Sequence, residues 1–230
     1  MSKKTVVFSL IVIVLCLFAI TCSASAEPYS DDFSDTDYIG NGWYVNVLIG
    51  NPNANYIFPE RKRLSLHMPD YNTTLYMINK YTADSDSKVE AVFENVYSSN
   101  SQYGVVCRYH DYGWYELRII VSGVNAGSYA VYKYDRYLKS QGKNPYVTIH
   151  PGMDRYFTND IKLGLNVTNK LGMICEGDEI RVFINDNEQF PIRNGKLTDR
   201  SYSDGEGGFV IWTQTPGGTA QIDVVNFNVE

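Results

Sequence analysis

From Arg108 to Arg118 the chain sets Arg108, His110, Tyr112, Trp114, Glu116 and Arg118 at every second position. Side chains two apart share one face of a strand. Two strands joined at Asp111-Tyr-Gly113 would therefore present these groups together. The opposite parity is apolar, with Val105, Cys107 and Tyr109 in the first run and Tyr115, Leu117, Ile119 and Val121 in the second. Guanidinium and carboxylate groups hydrogen-bond hydroxyls, and a flat ring such as Trp114 or Tyr112 stacks on a pyranose, so the polar face suits sugar recognition. Trp212 and Gln214 share one parity of a late run, opposite Phe209 and Ile211, and add a second stacking candidate. The same residues also suit a solvated cross-strand charge ladder, worth about 0.2–1 kcal/mol per pair. The sequence leaves both open.

Positioning such a face takes strands, and the chain reads as strands throughout. Lys88 to Tyr97 is two-faced, with Val89, Ala91 and Phe93 inward and Lys88, Glu90 and Glu94 outward. Further runs are expected at Trp43–Leu48, Leu64–Met68, Thr73–Tyr81, Asn169–Ile184 (a hairpin around Glu176-Gly-Asp178), Gly207–Gln214 and Thr219–Val229. Loops are expected at residues 50–55 and at Thr215-Pro-Gly-Gly218. Leu138 to Asp160 is the least regular part, read as a long excursion holding one short strand, Tyr146–Ile149. No stretch has sustained helical periodicity. Roughly a dozen short strands at this spacing imply an all-β sandwich or barrel. The 19 tyrosines and 10 phenylalanines agree with that class.

Lys3 and Lys4, an apolar run from Val6 to Ile20 and Ala24-Ser-Ala26 make residues 1–26 a secretory signal peptide. A secreted, extracellular chain of one domain, residues 27–230, is expected, with no membrane span after the leader is removed. The formal net charge is -6, and losing the two leader lysines makes it more negative by two. Such a balance disfavours nucleic acid and anionic membranes as partners. Cys16 and Cys22 would leave with the leader, while Cys107 and Cys175 remain, each on an apolar face. A disulfide between them is the expected pairing, worth about 3–4 kcal/mol in the chain-entropy view; two buried thiols are the alternative.

Other chemistry finds little support. His67, His110 and His150 have no histidine two or four positions away, so no metal site is expected. Neither G-x-S-x-G nor a phosphate-binding glycine loop occurs. An enzyme acting on glycosides would have to use acids such as Glu116 with Glu90 or Asp111.

Several short motifs lie in order along the chain: Asp32-Phe-Ser-Asp35, Gly42-Trp43, Tyr103-Gly-Val-Val-Cys-Arg108, Tyr115, Asn169-Lys-Leu171, Gly177-Asp-Glu-Ile180, Ile184-Asn185 and Asp204-Gly-Glu-Gly-Gly208. Together they resemble the concanavalin A-like lectin/glucanase superfamily, in its exported bacterial domains of unassigned role. The resemblance implies a two-sheet antiparallel jelly roll whose concave sheet binds a polysaccharide or glycoconjugate. It does not imply catalysis. Where glucanases carry E-x-D-x-x-E, this chain has Glu90-Ala-Val-Phe-Glu94, read as a solvated face. No cofactor is expected. Calcium is the one cation the resemblance leaves open, and Val225 stands where the closing D-N-F pattern has its acid.

Overall fold

A computed structural model describes residues 27–50, 56–59, 62–150, 152–189, 197–214 and 218–230. The expected leader, most of the loop at 50–55 and part of the turn at 215–218 lie outside these residues. The first nine strands are β1 (Tyr29–Asp31), β2 (Trp43–Ile49), β3 (Tyr56–Pro59), β4 (Leu64–Met68), β5 (Thr73–Asp84), β6 (Ser87–Ser99), β7 (Ser101–His110), β8 (Gly113–Ile120) and β9 (Ser128–Asp135). A five-residue helix, α1 (Arg136–Ser140), follows. Then come β10 (Tyr146–Thr148), β11 (Tyr156–Phe157), β12 (Val167–Glu176), β13 (Glu179–Ile184), β14 (Asn187–Gln189), β15 (Leu197–Thr198), β16 (Gly205–Thr213) and β17 (Thr219–Val229).

These strands form two antiparallel sheets. Sheet one runs β14-β13-β12-β6-β17-β4-β3, with β1 also on β17 and β15 on β13; sheet two runs β10-β9-β8-β7-β16-β5-β2, with β11 on β9. Alternation explains why they face each other. In β6 every second residue from Ser87 to Asn95 is buried, and Val89, Ala91 and Phe93 enter the same core as Tyr103, Val105, Cys107, Leu117 and Ile119 of sheet two. Trp43 sits at the centre of an aromatic cluster, its ring centroid 4.7 Å from Phe227 and 5.3 Å from Phe209. Its indole N–H donates to Asp31 at 2.8 Å, satisfying the one polar atom that burial would strand. The Cys107–Cys175 disulfide joins β7 to β12, so it ties the two sheets together through the core.

One expectation fails at the end of β7. Strict parity would send Tyr109 inward and Arg108 outward, but the register slips between Cys107 and His110. Arg108 takes φ 52, a left-handed conformation unusual for a residue with a side chain. One extra residue in a strand reverses the parity beyond it. Tyr109 consequently packs on the outer face of sheet two with Tyr76, Trp114 and Tyr134. Gly205 makes the bulge fit, since a Cβ there would lie 2.6 Å from the Arg108 carbonyl carbon. The irregular excursion holds the expected short strand, here β10, and α1 and β11 besides. Asp135 caps α1 by accepting from the Tyr137 and Leu138 amides. β10 and β11 then return to extend sheet two alongside β9.

Candidate functional site

The outer face of sheet two is built around a buried polar nucleus. In register, Arg118 on β8 lies beside Gly104 on β7, and then come Val210 on β16 and Tyr76 on β5. With no side chain at Gly104, the Arg118 arm reaches across to donate from Nη2 to the Tyr76 hydroxyl at 2.9 Å. Tyr76 in turn donates to Glu116 Oε2 at 2.9 Å, and the Trp114 indole donates to the same oxygen at 3.0 Å. Arg118 Nη2 closes the set 2.7 Å from Glu116 Oε1. Burial pushes the Glu116 carboxyl above the usual carboxylate range, against the pull of Arg118, Trp114 and Tyr76.

Above this nucleus lies a cavity of about 320 Å³ lined by Gln102, Arg118, Tyr132, Asn144, Tyr146, Thr148, Asp154, Arg155, Trp212 and Gln214. The Tyr146 and Trp212 rings are nearly parallel, 11° apart in plane with centroids 6.2 Å apart. The Arg118 guanidinium lies 4.6 Å from the first centroid and 4.9 Å from the second, within cation–π range. Two rings, a cation and several amides converge here. Apolar faces with a few convergent polar groups are the usual make-up of a small-ligand site.

Of the residues expected from sequence, Arg118, Trp212 and Gln214 meet in this cavity. Trp114 and Glu116 lie on the expected face but are sealed beneath it, each 0% exposed. Trp114 stacks on Tyr134, centroids 3.9 Å apart, and on Tyr109 at 4.7 Å. Arg108 is absent from that face. The bulge turns it toward the rim of the sandwich, where Nε and Nη2 donate to the Ser85 carbonyl and Nη1 donates to the carbonyls of Gly177 and Tyr202. Its remaining contact is Asp86 at 3.3 Å. Arg108 thus holds three chain segments in place. His110 and Tyr112 stack on each other at 4.7 Å, and His110 bonds Asp204 at 2.7 Å. His110 lines a separate cavity of about 300 Å³ with Tyr44, Tyr109, Asp111 and Glu206.

The proposed pairing of Glu116 with Glu90 as glycosidase acids is excluded. Glu90 sits on the outer face of sheet one, bonded to Lys88 and Lys170, while Glu116 is on the outer face of sheet two. The whole sandwich separates them, and sheets pack about 10 Å apart before side chains are added. Retaining carboxylates need about 5–5.5 Å and inverting ones about 6.5–9.5 Å. Glu116 with Asp111 fares no better as an acid pair, because Glu116 lines neither cavity. Among the described residues no group of three His, Cys, Asp or Glu side chains is placed to hold a metal, and no helix is long and apolar enough to cross a membrane.

Sequence reasoning missed Gln102, Tyr132, Asn144, Tyr146, Thr148, Asp154 and Arg155. Tyr132 follows the period-two pattern of β9 and could have been found by it. Gln102 could have been found too, because it shares the parity of Val106 along β7. The other five come from the excursion, where Tyr146 and Thr148 fall in the expected short strand but nothing in the sequence indicated which strand it would pair with.

No family model matches the chain, and no curated protein matches it by sequence. Solved structures do match in fold. A carbohydrate-binding module from Bacillus subtilis is 13% identical with a TM-score of 0.53, over 81% of this chain and 95% of that one. A Bacillus subtilis protein of unknown function, described as having a galectin-like fold, is 11% identical with a TM-score of 0.58, over 88% and 94%. A beta-1,3-glucanase from Mycobacterium marinum is 11% identical with a TM-score of 0.52, over 88% and 97%. The chain therefore has the galectin-like jelly-roll fold of the concanavalin A-like sandwiches, as the sequence resemblance implied.

Proposed function

We propose that the protein is an exported glycan-binding module whose ligand lies on the outer face of sheet two, in the cavity walled by Tyr146 and Trp212. The observation that carries this is the convergence of two nearly parallel aromatic rings with the side chains of Gln102, Gln214 and Asn144. Rings take up the apolar face of a pyranose, and amides, each both donor and acceptor, bind its hydroxyls. Fold neighbours that include a carbohydrate-binding module and a glucanase support the ligand class. The leader-like first 26 residues and the Cys107–Cys175 disulfide support work outside the cell. Screening the purified protein on a glycan array tests the proposal. Wild type should retain at least one glycan class, and Trp212→Ala and Gln214→Ala should each weaken or lose it. An array on which wild type retains nothing would refute it.

A further inference from the structure

The polar atoms around the cavity have a lopsided inventory. Arg118 Nε, Arg118 Nη1 and Trp212 Nε1 are buried without a well-aligned hydrogen-bond partner inside the protein, the Tyr146 hydroxyl beside Arg118 answering its guanidinium only in part. All three can only donate. Buried donors of this kind are uncommon in native structures, and each one needs an acceptor from somewhere. Arg155 lines the same cavity and brings a second fixed positive charge. Two acids stand against these cations. Glu116 is ion-paired beneath Arg118 and does not line the cavity. Asp154 does line it but is exposed to water, where its field is screened. A chain with a formal net charge of -6 thus concentrates poorly paired donors and two guanidinium groups at one cavity. Hydroxyls of a neutral sugar would answer this only in part, because they bring donors of their own. A carboxylate brings acceptors alone and is bound most strongly by charge-assisted hydrogen bonds.

We infer that the sugar seated against Tyr146 and Trp212 carries an anionic group, a uronic carboxylate, bound through Arg155 and the charge of Arg118. This rests on the glycan reading above and specifies its substrate class. Arg118 is 1% exposed, so it acts mainly through the low-dielectric floor of the cavity, and Arg155 makes the direct contact.

Titration calorimetry of the purified protein tests this with oligogalacturonates, oligomannuronates and glucuronoxylan fragments. The matched controls are methyl-esterified oligogalacturonates, neutral gluco- and xylo-oligosaccharides, and sulfated galactans. At least one uronate should bind ten-fold or more tighter than its esterified or neutral counterpart and weaken as salt rises. Arg155→Ala should abolish that preference, bringing uronate affinity down to that of the esterified or neutral counterpart measured with the same variant. If neutral oligosaccharides bind and no uronate binds better, the inference falls and the glycan reading stands. Binding of sulfated galactans in preference to every uronate would overturn the carboxylate assignment. If no member of the panel binds, both fall.

Discussion

Arg108 gives the sharpest test of how this fold is held together, because its position on the chain suggested a ligand contact and its environment makes it a structural pin. Arg108→Met keeps most of the aliphatic stem and removes the guanidinium. Three carbonyls then lose their donor, those of Ser85, Gly177 and Tyr202. The bond to Tyr202 is fully buried, and a buried acceptor left unpaired costs about 1–3 kcal/mol. Ser85 and Gly177 meet Arg108 in part-buried bonds, where water replaces some of the loss, so about 1 kcal/mol each is appropriate. Asp86 is 58% exposed, and its ion pair adds little. The sum is a loss of about 3–5 kcal/mol, or roughly 6–20 °C in melting temperature for a domain of this size. Urea denaturation with the disulfide intact measures it, and the m-value should stay constant. A variant within about 1 kcal/mol of wild type would refute the pin, since it would mean that water serves all three carbonyls equally well. Any glycan affinity found for wild type should survive in the folded variant.

Three other outcomes are expected. Glu116→Gln leaves the Arg118 charge buried without its partner and should cost about 3–5 kcal/mol by the same denaturation assay. Trp212→Ala removes a half-buried ring from the cavity wall; it should cut glycan affinity at least ten-fold in calorimetry while lowering stability far less than Glu116→Gln. Asp199 concerns acid stability. Burial works to raise its carboxyl, but hydrogen bonds from Ser201, Tyr115 and Lys133 outweigh that and hold it at about 2. A folded value below the unfolded one, about 3.9, stabilises fully above pH 4 and fades as the pH falls through 2. Asp199→Asn should therefore cost about 1–2 kcal/mol at pH 7, allowing for solvent at the rim, and nothing near pH 2. Melting curves across pH check it.

The strands of the core were legible because each buries one face. The alternation in β6 survives into the structure residue by residue, and in β8 the expected inward set Tyr115, Leu117 and Ile119 enters the shared core although both faces of that strand are buried. The Cys107–Cys175 pairing followed from two inward cysteines on different strands, which the structure places in opposite sheets. The bulge at Arg108 was invisible to the same logic, since period-two reasoning assumes an uninterrupted ladder, and a single inserted residue leaves no mark on hydropathy. Its signature was present only indirectly, in Gly205, whose missing side chain makes room for the bulged backbone. The burial of Trp114 and Glu116 was also hidden. Parity shows which face a side chain occupies, but a second layer of rings from β9 and β10 covers them there. Tyr146 opens the short strand expected at Tyr146–Ile149, but only its pairing with β9 makes it a cavity wall.

The cavity has two halves with different obligations. Its floor, Arg118 over Glu116 and Tyr76, belongs to the buried polar network that links β8 to β5 across sheet two. Its upper wall, Asn144, Tyr146, Thr148, Asp154 and Arg155, lies on and around the edge strand β10 and contributes none of the fully buried large side chains of the core. Tyr146 is tied to Tyr76 and Tyr134, but change at Asn144, Asp154 and Arg155, which are exposed or half-buried, is cheap for folding and immediate for what the cavity admits. A lineage carrying this sandwich can therefore alter what the cavity admits by rewriting a few edge residues, leaving the frame untouched.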